Sequence, residues 1–351
     1  GFPVRMPRPR SEFTRFQPGS TGWSELPDVV AGASSVLSGQ NLWFEDGRLR
    51  PRSRLTRPST NNPTPDVING FFDYDDISGT KYPVVCSKGT VAYLDVASWT
   101  TLTYASGASD HPPSGGENDH FFGSTVYLPR RDLNVAVFTN GVDPVFAWVG
   151  PSDCTAFSTL TQGPICADLV IFDDRVVGWN IRELSSSTRF LTRVQWSLAG
   201  NPEDWVGVGS GFQDLVHMRG EGTRIFAQED EMLLATDQEI WRGRIRIQPL
   251  TFDFTPITKE VGIPYPNAAI NTPLGLFWLN DDFLVYQMVG ERVQPVGQKI
   301  WPELRATLQD PDKAFFSWHD DRQQLTLHYS TTLAQYPQRA FTAQSGVWMP
   351  Q

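Results

Sequence analysis

The sequence predicts an all-β fold: a six-bladed β-propeller with an extended N-terminal arm. Two observations carry that expectation. Apolar runs of four to eight residues, rich in Val, Ile, Phe, Tyr and Trp and bounded by turn residues, recur along all 351 residues, while 29 Gly and 27 Pro leave little room for long helices. A unit of aromatic run, short polar turn and second apolar run also repeats. Its clearest copies are LVIFDDRVVGW (Leu169–Trp179), RIFAQEDEMLLAT (Arg224–Thr236), LFWLNDDFLVYQM (Leu276–Met288) and FFSWHDDRQQLTLHY (Phe315–Tyr329). Looser copies are FFDYDDISGTKYPVVC (Phe71–Cys86) and STVYLPRRDLNVAVFTNG (Ser124–Gly141).

The turns fall near residues 77, 130, 173, 230, 281 and 320, a mean spacing of about 49 residues. A four-stranded propeller blade takes ~40–50 residues. Asp and Asn suit such turns because their side chains bond their own backbone and tolerate turn geometry. No named blade signature of the WD or kelch type occurs, and two packed β-sandwich domains stand as the structural alternative. Helices are expected in two short stretches, Asp28–Ser38 with Asp28 as N-cap and Pro302–Leu308 with proline in the first turn.

Residues 1–60 read as an arm and 61–351 as the propeller. Within the arm, Asp46-Gly47 is a two-residue turn between Asn41–Phe44 and Arg48–Arg54. This hairpin is expected to add a strand to the last blade and so close the ring. A Pro/Asn-rich linker, Pro58–Asp66, follows.

The net charge is −10, and it is unevenly divided. Residues 1–60 hold nine arginines, no lysine and five acids, a net +4, whereas the other 291 residues hold 20 bases and 34 acids, a net −14. A basic arm on an acidic body points to an acidic partner for the arm and against a conventional nucleic-acid binder. No run approaches the ~18 apolar residues of a membrane helix, so no membrane anchor is expected. The Arg/Pro-rich start lacks the apolar region of a secretory signal. Three cysteines, an odd number, suit a reducing compartment.

Motifs for chemistry are missing. The five histidines show no paired spacing, the cysteines no C-x-x-C, and no nucleophile elbow, phosphate loop or Ca²⁺ loop occurs. No catalytic residue, metal or cofactor is expected, and the chain does not read as an enzyme. The pairs Asp173-Asp174, Asp281-Asp282 and Asp320-Asp321 resemble glycosidase carboxylates, but they recur where hairpins turn. Two arginine sets stand out. Arg48, Arg50, Arg52 and Arg54 alternate along one strand, and Arg242, Arg244 and Arg246 form a second charged ridge. The first set, with Arg5, Arg8, Arg10 and Arg15 of the tail, is expected at protein–protein contacts, since Arg–carboxylate pairing fixes register. The ridge reads either as a solvated or edge strand guarded by charge or as a contact for an acidic neighbour or phosphate chain.

The order of motifs resembles the tail nozzle and tail-hub proteins of tailed bacteriophages, propellers also known as tail tubular or DNA-stabilisation proteins. ASSVLSGQNLWFEDGRLRPR (Ala33–Arg52) is similar to their opening segment, and VVGWN with RVQWSLAGNPEDW (within Val176–Trp205) is the most specific match. ATDQEIWRG (Ala235–Gly243), VGIPYPNA (Val261–Ala268), LFWLNDDFLVYQ (Leu276–Gln287) and SGVWMP (Ser345–Pro350) follow in the family's order. The resemblance implies a structural virion protein in a tail or neck, made in the host bacterial cytoplasm. It implies a ring, commonly a hexamer, around the DNA exit channel, touching adaptor or portal proteins and tail fibres. DNA would pass without specific binding, because fixed phosphate contacts add salt-dependent affinity and stall translocation. A receptor- or glycan-binding propeller without catalysis is the alternative function.

Overall fold

The computed structural model describes residues 42–45, 48–51, 61–64, 66–105, 113–151, 156–184, 188–228, 230–246, 252–332, 337, 339–344 and 347–350. Two strands, β1 (Leu42–Glu45) and β2 (Arg48–Pro51), form the expected hairpin, with Glu45 opposite Arg48 across a two-residue connection. Six further sheets follow in chain order, each built on a meander of four strands that pair antiparallel with their sequence neighbours, one of them widened by a parallel fifth strand.

The first blade comprises β3 (Ile68–Asp75), β4 (Lys81–Ser87), β5 (Thr90–Asp95) and β6 (Ser98–Thr101). A two-residue strand, β7 (Thr103–Tyr104), then crosses to the second blade, which holds β8 (Phe122–Leu128), β9 (Leu133–Thr139), β10 (Phe146–Trp148) and β11 (Ala156–Thr159). The third is β12 (Ile165–Phe172), β13 (Arg175–Arg182), β14 (Arg189–Trp196) and β15 (Gly211–Asp214). The fourth is β16 (Gly222–Ala227), β17 (Glu231–Thr236), β18 (Ile240–Ile245) and β19 (Phe252–Thr258). The fifth is β20 (Ala269–Thr272), β21 (Gly275–Leu279), β22 (Val285–Val289) and β23 (Arg292–Pro295). The sixth is β24 (Phe315–His319), β25 (Gln324–Tyr329), β26 (Arg339–Gln344) and β27 (Val347–Pro350). The fold is a six-bladed β-propeller. The sandwich alternative falls, because the sheets are six separate four-stranded meanders, the second widened by β7, rather than two facing pairs.

Blade strands bury both faces, which explains their nearly continuous apolar runs. In β13, Val176 packs toward the second blade with Leu169 and Val126, while the next residue, Val177, packs toward the fourth with Ile225 and Leu234. An apolar cluster fills each of five seams between consecutive blades, from Phe72, Phe138 and Trp148 in the first to Leu279, Leu304 and Phe316 in the last. The seam between sixth and first blades has no such cluster among the described residues. Short helix α1 (Trp301–Thr307) starts one residue before its expected span and buries Leu304 in the fifth seam. The other expected helix, Asp28–Ser38, lies outside the described residues.

Turn chemistry matches the repeat in five blades. Asp173 and Asp174 both take left-handed φ, 51° and 55°, between paired Phe172 and Arg175, the geometry of a tight two-residue hairpin. Blade five is out of phase. Its Asn280–Asp282 turn joins the second and third strands, and the first hairpin turns instead at Pro273-Leu274. The expected closure is corrected as well. The hairpin lies beside the sixth blade, β1 next to β27, but forms its own two-stranded sheet, and the four strands of that blade all come from residues 315–350.

Candidate functional site

The first strands of neighbouring blades meet at one arginine. Arg224 of β16 donates from Nε to Asp168 Oδ2 of β12 at 2.8 Å and from Nη1 to the Pro266 carbonyl at 2.7 Å. Its guanidinium carbon also lies 4.0 Å from the centre of the Phe122 ring of β8. One side chain thus joins blades two to four and the entry to blade five. Asp168 is buried and also accepts from the backbone N–H groups of Ile225 at 2.8 Å and Leu169 at 2.7 Å. Burial pushes its carboxyl above the ordinary value, against the pull of Arg224 and those two amides. Sequence reading missed this pair. The available signal was a lone acid in ICADLVIF and a lone base in GTRIFA, since a charge inside a buried strand requires a partner.

Beside Phe122 and Pro266 opens a cleft of about 410 Å³, lined among others by Asn118, Asp119, His120, Asn180, Arg189 and Glu221. Asn180 has a left-handed φ of 56°, donates to the Gly222 carbonyl at 2.7 Å and to Glu221 at 3.2 Å, and accepts from Arg189 at 2.7 Å. His120 is buried with no partner for Nδ1, and burial lowers its pKa, opposed in part by Asp312. The cleft is polar, but most of its wall is already bonded to itself. Among the described residues no group of three His, Cys, Asp or Glu side chains could hold a metal.

The paired acids serve their turns. Asp173 takes the Arg175 guanidinium, Asp282 accepts the Leu284 N–H at 2.9 Å, and Asp320 accepts the Trp318 indole at 2.5 Å. The arginine ridge lies on β18 and just beyond it, an inner strand paired on both sides rather than an edge. Arg242 pairs with Glu291 of the fifth blade, Arg244 with Glu231 at 2.8 Å and Arg246 with Asp253 at 3.7 Å. Of the arm arginines, Arg48 and Arg50 lie on β2, where only the backbone is described, and Arg5, Arg8, Arg10, Arg15, Arg52 and Arg54 lie outside the described residues.

A second arginine cluster went unread in the sequence. Arg193 of β14 is buried, with its guanidinium between the rings of Phe190 at 3.5 Å and Phe212 at 4.1 Å. Asp214 holds it in a fork at 2.7 and 2.9 Å, and Glu183 takes a third bond at 2.6 Å. The nearby GNPEDW loop folds on itself: the Trp205 indole donates to the Pro202 carbonyl at 2.6 Å, and Asp204 accepts from the Gly207 N–H at 2.7 Å.

No family model matches the chain, and no curated protein sequence does. Among solved structures the chain is similar to the computationally designed Ika8 protein, at 10% identity and TM-score 0.41 over 83% of this chain and 74% of that one. It is similar to YCF48 bound to D1 peptide, at 11% identity and TM-score 0.43 over 84% and 87% of the two chains. A Bacteroides uniformis protein assigned provisionally as a 6-phosphogluconolactonase matches at 12% identity and TM-score 0.37, over 73% and 76%. The propeller itself suits a binding or structural module.

Proposed function

We propose that the chain is a non-catalytic structural protein of a phage tail or neck. It assembles as a ring, commonly a hexamer, through which the genome is retained and then leaves. The observation that carries this reading is the bridge across the first strands. Arg224 meets Phe122, Asp168 and the Pro266 carbonyl between the first strands of blades two to four and the entry to blade five, which leaves no room there for a duplex, so the DNA path of this reading runs between copies. A body of net −14 lining such a channel repels phosphates and leaves DNA free to slide. The arginines on β18 and just beyond it support this, each being matched to a carboxylate. The basic arm is then available to acidic neighbours, either ring copies or an adaptor or portal above.

A receptor- or glycan-binding module is the second reading, and the polar cleft beside Phe122 favours it. This reading comes second because Asn180, Arg189 and Glu221 bond to one another rather than facing the cleft unengaged. Charge reversal of Arg50 and Arg52 to Glu tests the first reading. Assembly is expected to weaken while the monomer stays folded. Unchanged assembly with altered DNA retention would move these arginines to the channel.

A further inference from the structure

The outer edge of each blade presents unpaired backbone N–H and C=O groups, and natural sheets protect such edges. Five blades show how. The backbone N–H and C=O of Trp99 in β6 are both taken by the Asn61 side chain, at 2.9 Å each. Strand β11 is covered by β7, in parallel. Pro256 interrupts β19, Pro295 ends β23, and β27 ends at Pro350 with β1 alongside. Only β15 of the third blade, with sequence GFQD, has no proline, added strand or bonded side chain on its outer side among the described residues.

That edge is ready for a strand. Leu215 donates to the Thr192 carbonyl at 3.0 Å, so in antiparallel register Gly211 and Gln213 bond β14, and Phe212 and Asp214 turn their backbone groups outward. The edge is apolar as well: Phe212 is 56% exposed, and Val206, Val208 and Val216, on the loops flanking β15, are more exposed still. The Arg193 stack holds Phe212 and Asp214 in place, so little ordering is needed on binding.

The N-terminal sequence GFPVRMPRPR fits this edge. Its prolines are residues 3, 7 and 9, all odd. An added strand bonds its neighbour through every second residue, so with Phe2, Val4, Met6, Arg8 and Arg10 bonded, every missing proline N–H falls on the far side. The same even residues share one face, three apolar side chains followed by two arginines, complementary to an apolar edge on an acidic body. The arm joins the propeller at β1, beside the sixth blade, half a ring away from the third. A donor and acceptor on opposite sides give a head-to-tail contact, the kind that builds rings when the rotation closes.

We propose that residues 2–10 of one copy add as a fifth strand to β15 of the next, as β7 does to β11 within the chain. The proposal rests on the ring-forming reading above and names its contact. The test uses full-length protein in sedimentation velocity. Val4→Pro or Met6→Pro places a proline on the bonding side and is expected to weaken association about tenfold or more, each tenfold being ~1.4 kcal/mol. Arg5→Pro, on the far side, is expected to leave association nearly intact. Phe212→Lys puts a charge on the apolar acceptor edge and is expected to weaken it, and mixing it with Met6→Pro is expected to give two-copy complexes, since each variant keeps one half of the contact. Wild-type association by Val4→Pro or Met6→Pro, or equal damage by Arg5→Pro, overturns the strand addition and leaves the ring reading standing. A mixture that stays monomeric overturns the contact between copies. A wild-type protein that is monomeric throughout overturns both.

Discussion

Arg224 and Asp168, 56 residues apart, meet at 2.8 Å where the first strands of the third and fourth blades converge. Both are largely withdrawn from water, with side chains 15% and 1% exposed. Removing one partner leaves the other buried without compensation, so Arg224→Met is expected to cost about 3–5 kcal/mol in urea unfolding. Asp168→Asn combined with Arg224→Met is expected to recover most of that loss. A single variant as stable as wild type would contradict the role given to the pair.

Glu239 is expected to make stability depend on acid pH. Burial raises its carboxyl, but bonds from Arg219 at 2.5 Å and the Trp241 indole at 2.9 Å outweigh it and hold the group below its ordinary value of 4.5. A carboxyl held down in the folded protein contributes stability above its unfolded value and loses it as pH falls through the lower folded one. Between roughly pH 5 and 3, the urea midpoint of wild type is therefore expected to fall more steeply than that of Glu239→Gln. Parallel curves would contradict this.

Trp205 anchors the GNPEDW loop in the seam between blades two and three, where it is buried among Val126, Leu169 and Val176. Trp205→Ala is expected to cost about 3–5 kcal/mol by leaving a cavity, measured by chemical unfolding. A loss near zero would mean that the loop is not part of the core.

The Arg242–Arg246 ridge is expected to behave quietly. Each pair has at least one partner more than half exposed, so changing any one arginine to Gln is expected to shift stability by under about 1 kcal/mol. Binding of duplex DNA in a filter assay is expected to stay unchanged. A fall in affinity with a shallower salt dependence would assign the ridge to phosphate contact.

Local chemistry made most of the fold legible. The Asp173-Asp174 turn and the Asp46-Gly47 hairpin are set by residues adjacent in the chain, and alternation of apolar residues is visible without knowing the partner strand. In the fifth blade the same cues misled by one strand, because Pro273 turns its first hairpin without an acidic pair while Asp281-Asp282 marks the second. For the Arg224–Asp168 pair, the apolar strands around each charge signalled a buried partner but not which one, and the Arg193 stack was not legible. The partners are brought together by blade-to-blade packing and strand register. The arm arginines were singled out from charge alone, and of these Arg48 and Arg50 fall on β2.

Under the proposed function, copies of this propeller ring a DNA path that no single propeller contains. Electron microscopy of the native particle, with labelled antibody against this chain, measures it most directly. The expected result is a ring of six-bladed propellers on the tail or neck axis, enclosing a hole wide enough for a B-form duplex. A particle without the chain, or a chain seen only as isolated propellers away from the axis, would contradict the account.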